Sequence, residues 1–337
     1  MPALGIRGSA RGFGQMNNRG PFDDPVSVAT SIVSDSSVSL TWVNRDAAAN
    51  TQIFRNGSLI ANTSVGATSF TDTGLTAATT YTYLIRHILN SLPSGNTASN
   101  TAKPVFAATG GTVIDSGGYR FHIFTSNATF TVTTPGFANT FVAGGGAGGG
   151  TDVISGGGGA GGYQEGNTSI AAGVYTMTVG KGGSVGANGS NSIFGSIVAR
   201  GGGRGGDSEQ AGSDGGCGGG PGAATVVGSG GDLGSGNWQS NPPGTGTQGG
   251  NGGHDHTNAA GGGGGMGGNG GDATQNNGGN GGPGINRTFA GTTYRLGDGG
   301  KGNGLTTAGT RTASDFAGGG DYNQPGQDGI IAVWYPI

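Results

Sequence analysis

Glycine dominates the second part of this sequence and limits what it can fold into. Fourteen of the 83 glycines lie in residues 1–140, so 69 lie in residues 141–337. Ordering a glycine costs roughly 0.5 to 1 kcal/mol more than ordering an alanine, because glycine has more backbone freedom to lose. Few side chains are available for burial there, so hydrogen bonds between closely packed backbones are the expected compensation.

Several glycine tracts repeat with a period of three, as in GGMGGNGGD at residues 264–272. Three residues per turn is the period of the polyproline II type of helix, which makes no internal hydrogen bonds and needs neighbours to satisfy its backbone. A bundle of polyglycine II-type helices is therefore expected. Collagen is rejected, because the chain has only twelve prolines and its glycine phase is broken. A disordered linker would leave the intervening β segments nothing to pack on.

Residues 25–102 predict a different, all-β unit. Val38, Leu40 and Trp42 alternate with polar residues, and Asn56-Gly57 stands between two apolar runs as a hairpin turn. The length of this segment accommodates about seven short strands, as in a sandwich of two sheets.

This segment resembles a fibronectin type III domain. The resemblance rests on Pro25 at the start, Trp42 on the second strand, and Leu75 and Tyr81 around the turn into the sixth strand. It implies a module used for spacing or docking. In the sequence, a polar arm (1–24) precedes this segment and a linker (103–110) follows it.

Residues 111–337 combine β segments with glycine tracts. GTVID, GYRFHIFTS, ATFTVTT, GVYTMTVG, SIFGSIVAR and GIIAVWYPI all predict strands. The run IDSGGYRFHIFTSNATFTVTTPGFANTFVAGGGAGGG, followed by GGGGAGGY, GVYTMTVGKGG, NGSNSIFGSIVARGGGRGG and DGIIAVWYPI, resembles the glycine-rich domain of bacteriophage tail and fibre proteins. The expected fold class is mostly β: a fibronectin III-like β-sandwich followed by a β-capped glycine-rich domain of packed polyglycine II-type helices.

The second resemblance implies a phage virion surface protein, a tail fibre or tail-tip adhesin that attaches to the host cell through loops of the glycine-rich domain. Its implied partners are other virion proteins and a host surface glycan or outer-membrane protein. A structural capsid decoration or head-fibre protein without specific receptor binding is the alternative. A third hypothesis is a polysaccharide-active enzyme or carbohydrate-binding appendage of a bacterium. The resemblance also makes a homotrimer possible. The sequence does not decide this, because it shows no heptad or β-helix signature.

The charge distribution argues against nucleic acid and membrane partners. The net charge is −3, and the 15 Lys and Arg residues form no basic stripe. The N-terminal segment lacks a continuous apolar core, and no run of 18 apolar residues occurs, so neither a signal peptide nor a membrane span is expected.

The chemical motifs are weak. Ser184 lies in a GGSVG string, which glycine abundance alone produces, and no helix signal follows it. Cys217 is the single cysteine and is interpreted as a spacer. The His254-Asp255-His256 string is interpreted as a solvated loop rather than a metal site. No enzymatic activity, cofactor or resident metal is therefore expected.

Aromatic, amide and charged side chains on the loops of the glycine-rich domain are the candidate receptor-binding residues. They are Trp238, Gln239, His254, Asp255, His256, Tyr294 and Arg295. The N-terminal arm supplies the candidate virion-docking residues, which are Arg7, Arg11, Phe13 and Arg19.

Overall fold

The computed structural model describes residues 23–97, 99–223 and 258–337. Within these ranges it contains twenty β-strands and no helix, so the expected mostly β class is confirmed. The chain divides into two compact units, Met1–Pro104 and Val105–Ile337.

The first unit is a sandwich of two antiparallel sheets. One sheet has the order β1-β2-β5, and the other has the order β4-β3-β6-β7, with β8 also paired to β6. Its strands are β1 (Val26–Ser34), β2 (Ser37–Val43), β3 (Asn50–Arg55), β4 (Ser58–Asn62), β5 (Ser69–Thr73), β6 (Tyr81–Leu89), β7 (Leu92–Pro93) and β8 (Asn100–Ala102).

The alternation in β2 points Val38, Leu40 and Trp42 into the core of this sandwich, where each is at most 4% exposed. The predicted hairpin turn joins β3 to β4. Asn56 and Gly57 there have φ angles of 50° and 80°, the left-handed conformation that two-residue hairpin turns require.

A tyrosine fixes the turn before β6. The backbone N–H of Thr76 donates a hydrogen bond of 2.9 Å to the Tyr81 hydroxyl, and Leu75 beside it is buried. This contact resembles the tyrosine corner of β-sandwich domains. Together with the sheet order, it supports the fibronectin III-like interpretation of this segment.

The second unit begins with a second sandwich, whose sheets have the orders β10-β11-β20-β13-β14 and β17-β16-β15-β12-β9. A separate hairpin pairs β18 with β19. The predicted linker 103–110 contains β9, which pairs with β12. The strands are β9 (Ala107–Thr109), β10 (Thr112–Ser116), β11 (Tyr119–Phe124), β12 (Ala128–Thr134), β13 (Gly136–Ala143), β14 (Tyr163–Ile170), β15 (Gly173–Thr178), β16 (Ser192–Phe194), β17 (Ile197–Ala199), β18 (Ile285–Phe289), β19 (Thr292–Leu296) and β20 (Ile330–Pro336).

The C-terminal strand β20 lies in the middle of its sheet and is covered on both faces. Ile331 and Val333 point into the core between the two five-stranded sheets, together with Phe124 and Phe130. Ile330 and Ala332 point the other way, into a second apolar cluster that borders the glycine-rich region. Coverage on both faces explains why this strand is almost continuously apolar.

A buried histidine bridges β11 and β20. His122 Nδ1 is 2.7 Å from the Gly110 carbonyl oxygen, and Nε2 is 3.0 Å from the Tyr335 hydroxyl. Burial lowers the pKa of His122 and raises that of Tyr335. The imidazole is therefore neutral at pH 7, with Nδ1–H donating to the carbonyl and Nε2 accepting from the tyrosine.

Glycine runs extend the strands of this sandwich. Strand β13 leads into run 144–150, hereafter the flanking rod, and β14 follows run 156–162, hereafter the inner rod. The last strand pair, Ala143 with Tyr163, is followed by a hydrogen bond from Gly144 N to Gly162 O. The sheet thus passes into the glycine-rich region without a break in the backbone pairing.

The inner rod makes hydrogen bonds with a period of three and has six neighbouring runs. Its carbonyl oxygens accept N–H groups from runs 144–150, 217–220 and 297–303. Its own N–H groups donate to three further runs. Residues 156, 159 and 162 donate to run 200–206, and residues 157 and 160 donate to run 261–264. Residues 158 and 161 donate to run 317–320. Backbone bonding therefore extends in three dimensions.

Glycine is required where these runs touch. A Cβ added at Gly159 would overlap the carbonyl oxygen of Cys217, and one added at Gly161 would overlap that of Gly144. Ala160 and Cys217 instead place their side chains in the second apolar cluster with Met266. The runs are assigned to neither strand nor helix, and polyglycine II-type helices stay a prediction.

Candidate binding site

Most of the candidate residues lie outside the described part of the chain. The receptor-binding candidates in range 224–257 are Trp238, Gln239, His254, Asp255 and His256. The virion-docking candidates in range 1–22 are Arg7, Arg11, Phe13 and Arg19.

Tyr294 and Arg295 are described, and both lie on β19 with internal contacts. The ring of Tyr294 is half-buried, with its centroid 5.9 Å from that of Phe289. Arg295 Nε donates to Asp298 Oδ2 at 2.8 Å, and the carboxylate raises the pKa of the guanidinium. Asp298 is 1% exposed and also accepts a 2.8 Å bond from the Ser314 hydroxyl. Receptor binding by these two residues stays a prediction.

The structure shows a cleft on the outer face of the sheet β10-β11-β20-β13-β14, the face turned away from the core of the second sandwich. Near the glycine-rich region this face is covered by the second apolar cluster. Farther along, the cleft has a volume of about 260 Å³. Its lining residues are Asn139, Glu165, Gly166, Asn167 and Trp334.

Strand register brings these residues together. Trp334 on β20 pairs with Asn139 on β13, which pairs with Asn167 on β14. Because side chains alternate between the two faces of a strand, Glu165 lies on the same face as Asn167. The three strands thus supply an aromatic ring, two carboxamides and a carboxylate to one surface.

The two carboxamides orient each other. Asn167 Nδ2 donates a hydrogen bond of 3.3 Å to Asn139 Oδ1. Within the described ranges, Asn139 Nδ2 and Asn167 Oδ1 have no protein partner. The two side chains therefore still offer one donor and one acceptor.

The carboxylate in the cleft is neutralised by an arginine of the β18-β19 hairpin. Arg287 Nε and Nη2 each donate a bond of 2.8 Å to a different oxygen of Glu165. This bidentate contact raises the pKa of Arg287, whose guanidinium also lies 5.7 Å from the centroid of Tyr163. The pair adds no net charge to the cleft.

Trp334 contacts two other aromatic rings. The Phe121 ring is 6.1 Å away at an angle of 13°, and the Phe289 ring is 5.8 Å away at 53°. Trp334 is half-buried, so its contacts fix the indole while part of it lines the cleft.

The weaker motifs lie elsewhere. Ser184 sits in a turn where its carbonyl accepts the N–H of Ala187, and Cys217 is buried with its thiol directed at the Gly161 carbonyl. Among the residues that the structure describes, no group of three or more His, Cys, Asp or Glu is placed to hold a metal ion. The same residues include no helix of the length and apolarity that a membrane span needs.

Comparison with curated proteins gives a short match to an enzyme. Over 62 residues, 18% of this chain, the sequence is 40% identical to the poly(3-hydroxybutyrate) depolymerase of Delftia acidovorans. This match contradicts the expectation that the chain has no enzymatic activity, and that expectation is withdrawn. The chain spans only 13% of the depolymerase.

Solved structures give only partial similarity. A two-domain fibronectin type III segment from chicken tenascin has a TM-score of 0.21 and 19% identity, with 52% of this chain and 94% of that one covered. The family 28 exopolygalacturonase of Yersinia enterocolitica has a TM-score of 0.22 and 20% identity, with coverages of 25% and 20%. Such low TM-scores carry no argument about fold, which rests on the sheet order.

A protein-family model described as a glycine-rich domain matches residues 124–335. The match covers more than half of the chain, from the last residue of β11 into β20, and includes most strands of the second sandwich and the hydrogen-bonded glycine runs. The chain therefore belongs to the glycine-rich domain family.

Proposed function

We propose that this protein is an attachment protein on the surface of a bacteriophage particle, a tail fibre or tail-tip adhesin that binds the host envelope. The observation that supports this proposal most directly is the continuity between the cleft and the glycine runs. Strands β13 and β14 line the cleft and pass directly into the flanking and inner rods.

Rigidity is what such a role requires. A binding site held on regular elements keeps its geometry better than one held on isolated loops. The inner rod bonds to six neighbouring runs, so the glycine-rich end of the strands that line the cleft is fixed in three dimensions. Binding then spends little free energy on ordering the protein.

In this proposal the fibronectin III-like unit and the N-terminal arm contact other virion proteins, and the glycine-rich unit faces the host. The host partner is a surface glycan or an outer-membrane protein. Aromatic and amide side chains at a half-exposed cleft suit either partner, because they combine apolar area with directed hydrogen bonds.

Binding of the labelled full-length chain to intact bacteria tests the proposal. Trp334→Ala removes the ring from the cleft, and Val174→Ala on β15 is the matched control, because Val174 is 73% exposed on the other sheet. We expect the wild-type chain and the control to bind cells and block phage adsorption, and Trp334→Ala to do neither. Attachment of the chain to phage particles without any binding to cells would favour the structural decoration alternative.

The depolymerase match supports a second candidate function, action on a polymer. Incubating the full-length chain with poly(3-hydroxybutyrate) film and measuring soluble 3-hydroxybutyrate tests it. Release above that of a heat-denatured sample would support hydrolysis, and no release would leave attachment as the better explanation.

A further inference from the structure

We infer that the cleft binds one ring of an uncharged glycan, a hexopyranose unit. This inference rests on the proposed function, because it names the chemical class of the ligand that the attachment site takes. Four features of the cleft support it: its size, its hydrogen-bonding groups, its charge and its aromatic wall.

The size of the cleft fits a single ring. Its volume of about 260 Å³ is below the roughly 300 to 1,000 Å³ typical of pockets for drug-sized ligands. A protein partner would need about 800 Å² of surface on each side for a stable interface. The cleft by itself therefore suits one sugar unit better than a folded protein.

The amide pair matches neighbouring hydroxyl groups. Asn139 Nδ2 remains available as a donor and Asn167 Oδ1 as an acceptor, because the bond between the two side chains uses the other two groups. A hydroxyl group both donates and accepts. Two hydroxyls of a sugar ring can therefore satisfy both amides, with one accepting from Asn139 and the other donating to Asn167.

The charges in the cleft favour an uncharged ligand. Both oxygens of Glu165 are bound by Arg287, so the carboxylate is neutralised. The third nitrogen of the guanidinium, Nη1, donates to the Asn286 carbonyl at 3.1 Å. Each nitrogen of Arg287 thus has a protein acceptor, and Glu165 already balances its charge, so the cleft offers an acidic sugar no unpaired cation.

Trp334 supplies the apolar wall. Phe121 and Phe289 fix its ring, so little side-chain entropy is lost when a ligand packs against the indole. The C–H groups on one face of a pyranose are apolar, whereas its hydroxyls point outward. An aromatic surface beside a donor and an acceptor matches both parts of such a ring.

Titration of the full-length chain with defined glycans tests the inference. The probes are neutral oligosaccharides of glucose, galactose and mannose, with polygalacturonate and alginate as acidic counterparts. Calorimetry measures the binding of each. We expect at least one neutral glycan to bind more tightly than either acidic polymer. Trp334→Ala should weaken that binding at least 10-fold. Asn167→Ala should weaken it about 5-fold, as expected for one lost hydrogen bond, and Val174→Ala should leave it unchanged.

Asn167 is exposed, so its replacement keeps the test valid even if Trp334→Ala fails to fold. Three results would overturn the inference: no binding of any neutral glycan, stronger binding of an acidic one, or binding unaffected by Asn167→Ala. Cell binding that depends on Trp334 without glycan binding would keep the proposed function and assign a protein receptor. Glycan binding that depends on Asn167 but does not block phage adsorption would keep the glycan inference and reject the attachment function.

Discussion

Replacing Gly158 by alanine adds a single methyl group at the centre of the inner rod. Gly158 donates its N–H to Gly320 and accepts the N–H of Gly300, and both bonds can form equally well with alanine. The new Cβ, however, would lie 2.7 Å from the carbonyl oxygen of Gly148 and closer still to that of Ala147. These atoms belong to the flanking rod, which must move away.

The cost follows from what that movement breaks. Three hydrogen bonds join the flanking rod to the inner rod, from residues 144, 147 and 150 to residues 162, 159 and 156. At about 1 kcal/mol each, their loss costs about 3 kcal/mol. Residual overpacking destabilises the folded chain by roughly a further 1 to 3 kcal/mol. The reduced conformational freedom of the unfolded chain offsets about 0.4 to 1 kcal/mol of this loss. The expected net loss of stability is about 4 kcal/mol, or roughly 8 to 16 °C in Tm.

Calorimetry of the full-length chain measures this change, and Gly268→Ala is the matched control. A Cβ at Gly268 would lie 3.4 Å from Pro283 Cγ, an ordinary contact, and the residue has no left-handed φ. The unfolded-state effect is the same in both variants, so their difference reports packing alone. Equal Tm values for Gly158→Ala and Gly268→Ala would refute the reasoning that close backbone contact requires glycine.

Arg295→Met should lower the free energy of unfolding by about 3 kcal/mol, because it leaves Asp298 buried without its cation; an unchanged denaturation midpoint would contradict this. Acidification from pH 7 to 5.5 should lower Tm, because burial lowers the pKa of His122, so that the unfolded chain takes up a proton on this imidazole at a higher pH, about 6.5, than the folded chain does. His122→Leu should flatten that slope, and an unchanged slope would exclude His122 as its source. Tyr81→Phe should cost about 1 kcal/mol in denaturation of the fibronectin III-like unit, through loss of the bond from Thr76, and no loss would show the contact to be dispensable.

The sequence predicted those strands whose side chains alternate visibly. Strands β11, β12, β15 and β20 all lie where apolar alternation or an apolar run indicated them. Strand β14 was missed because its sequence, YQEGNTSI, is polar: one of its faces lines the cleft, and the strand is at the edge of the sheet.

The β18-β19 hairpin was missed for another reason. Its turn residues Ala290 and Gly291 have φ angles of 52° and 82°, the same conformation as Asn56-Gly57. Alanine rarely adopts it, so Ala290-Gly291 lacks the Asn-Gly or Asp-Gly pair that signals such a turn.

The cleft could not be predicted from local patterns. Asn139 and Trp334 are distant in the sequence and meet only because β13 pairs with β20. Register of this kind depends on long-range pairing, which composition and periodicity do not encode. Likewise, Tyr294 and Arg295 gave no sign in the sequence of their contacts with Phe289 and Asp298.

The period of three in the hydrogen bonds also determines how the glycine runs can change during evolution. Deleting one residue from the inner rod would turn the rest of it by a third of a turn and direct each N–H to the wrong neighbour. A deletion or insertion of three residues would restore every direction. The runs are therefore expected to differ in length among homologues by multiples of three, whereas the connecting loops are free to vary by any number.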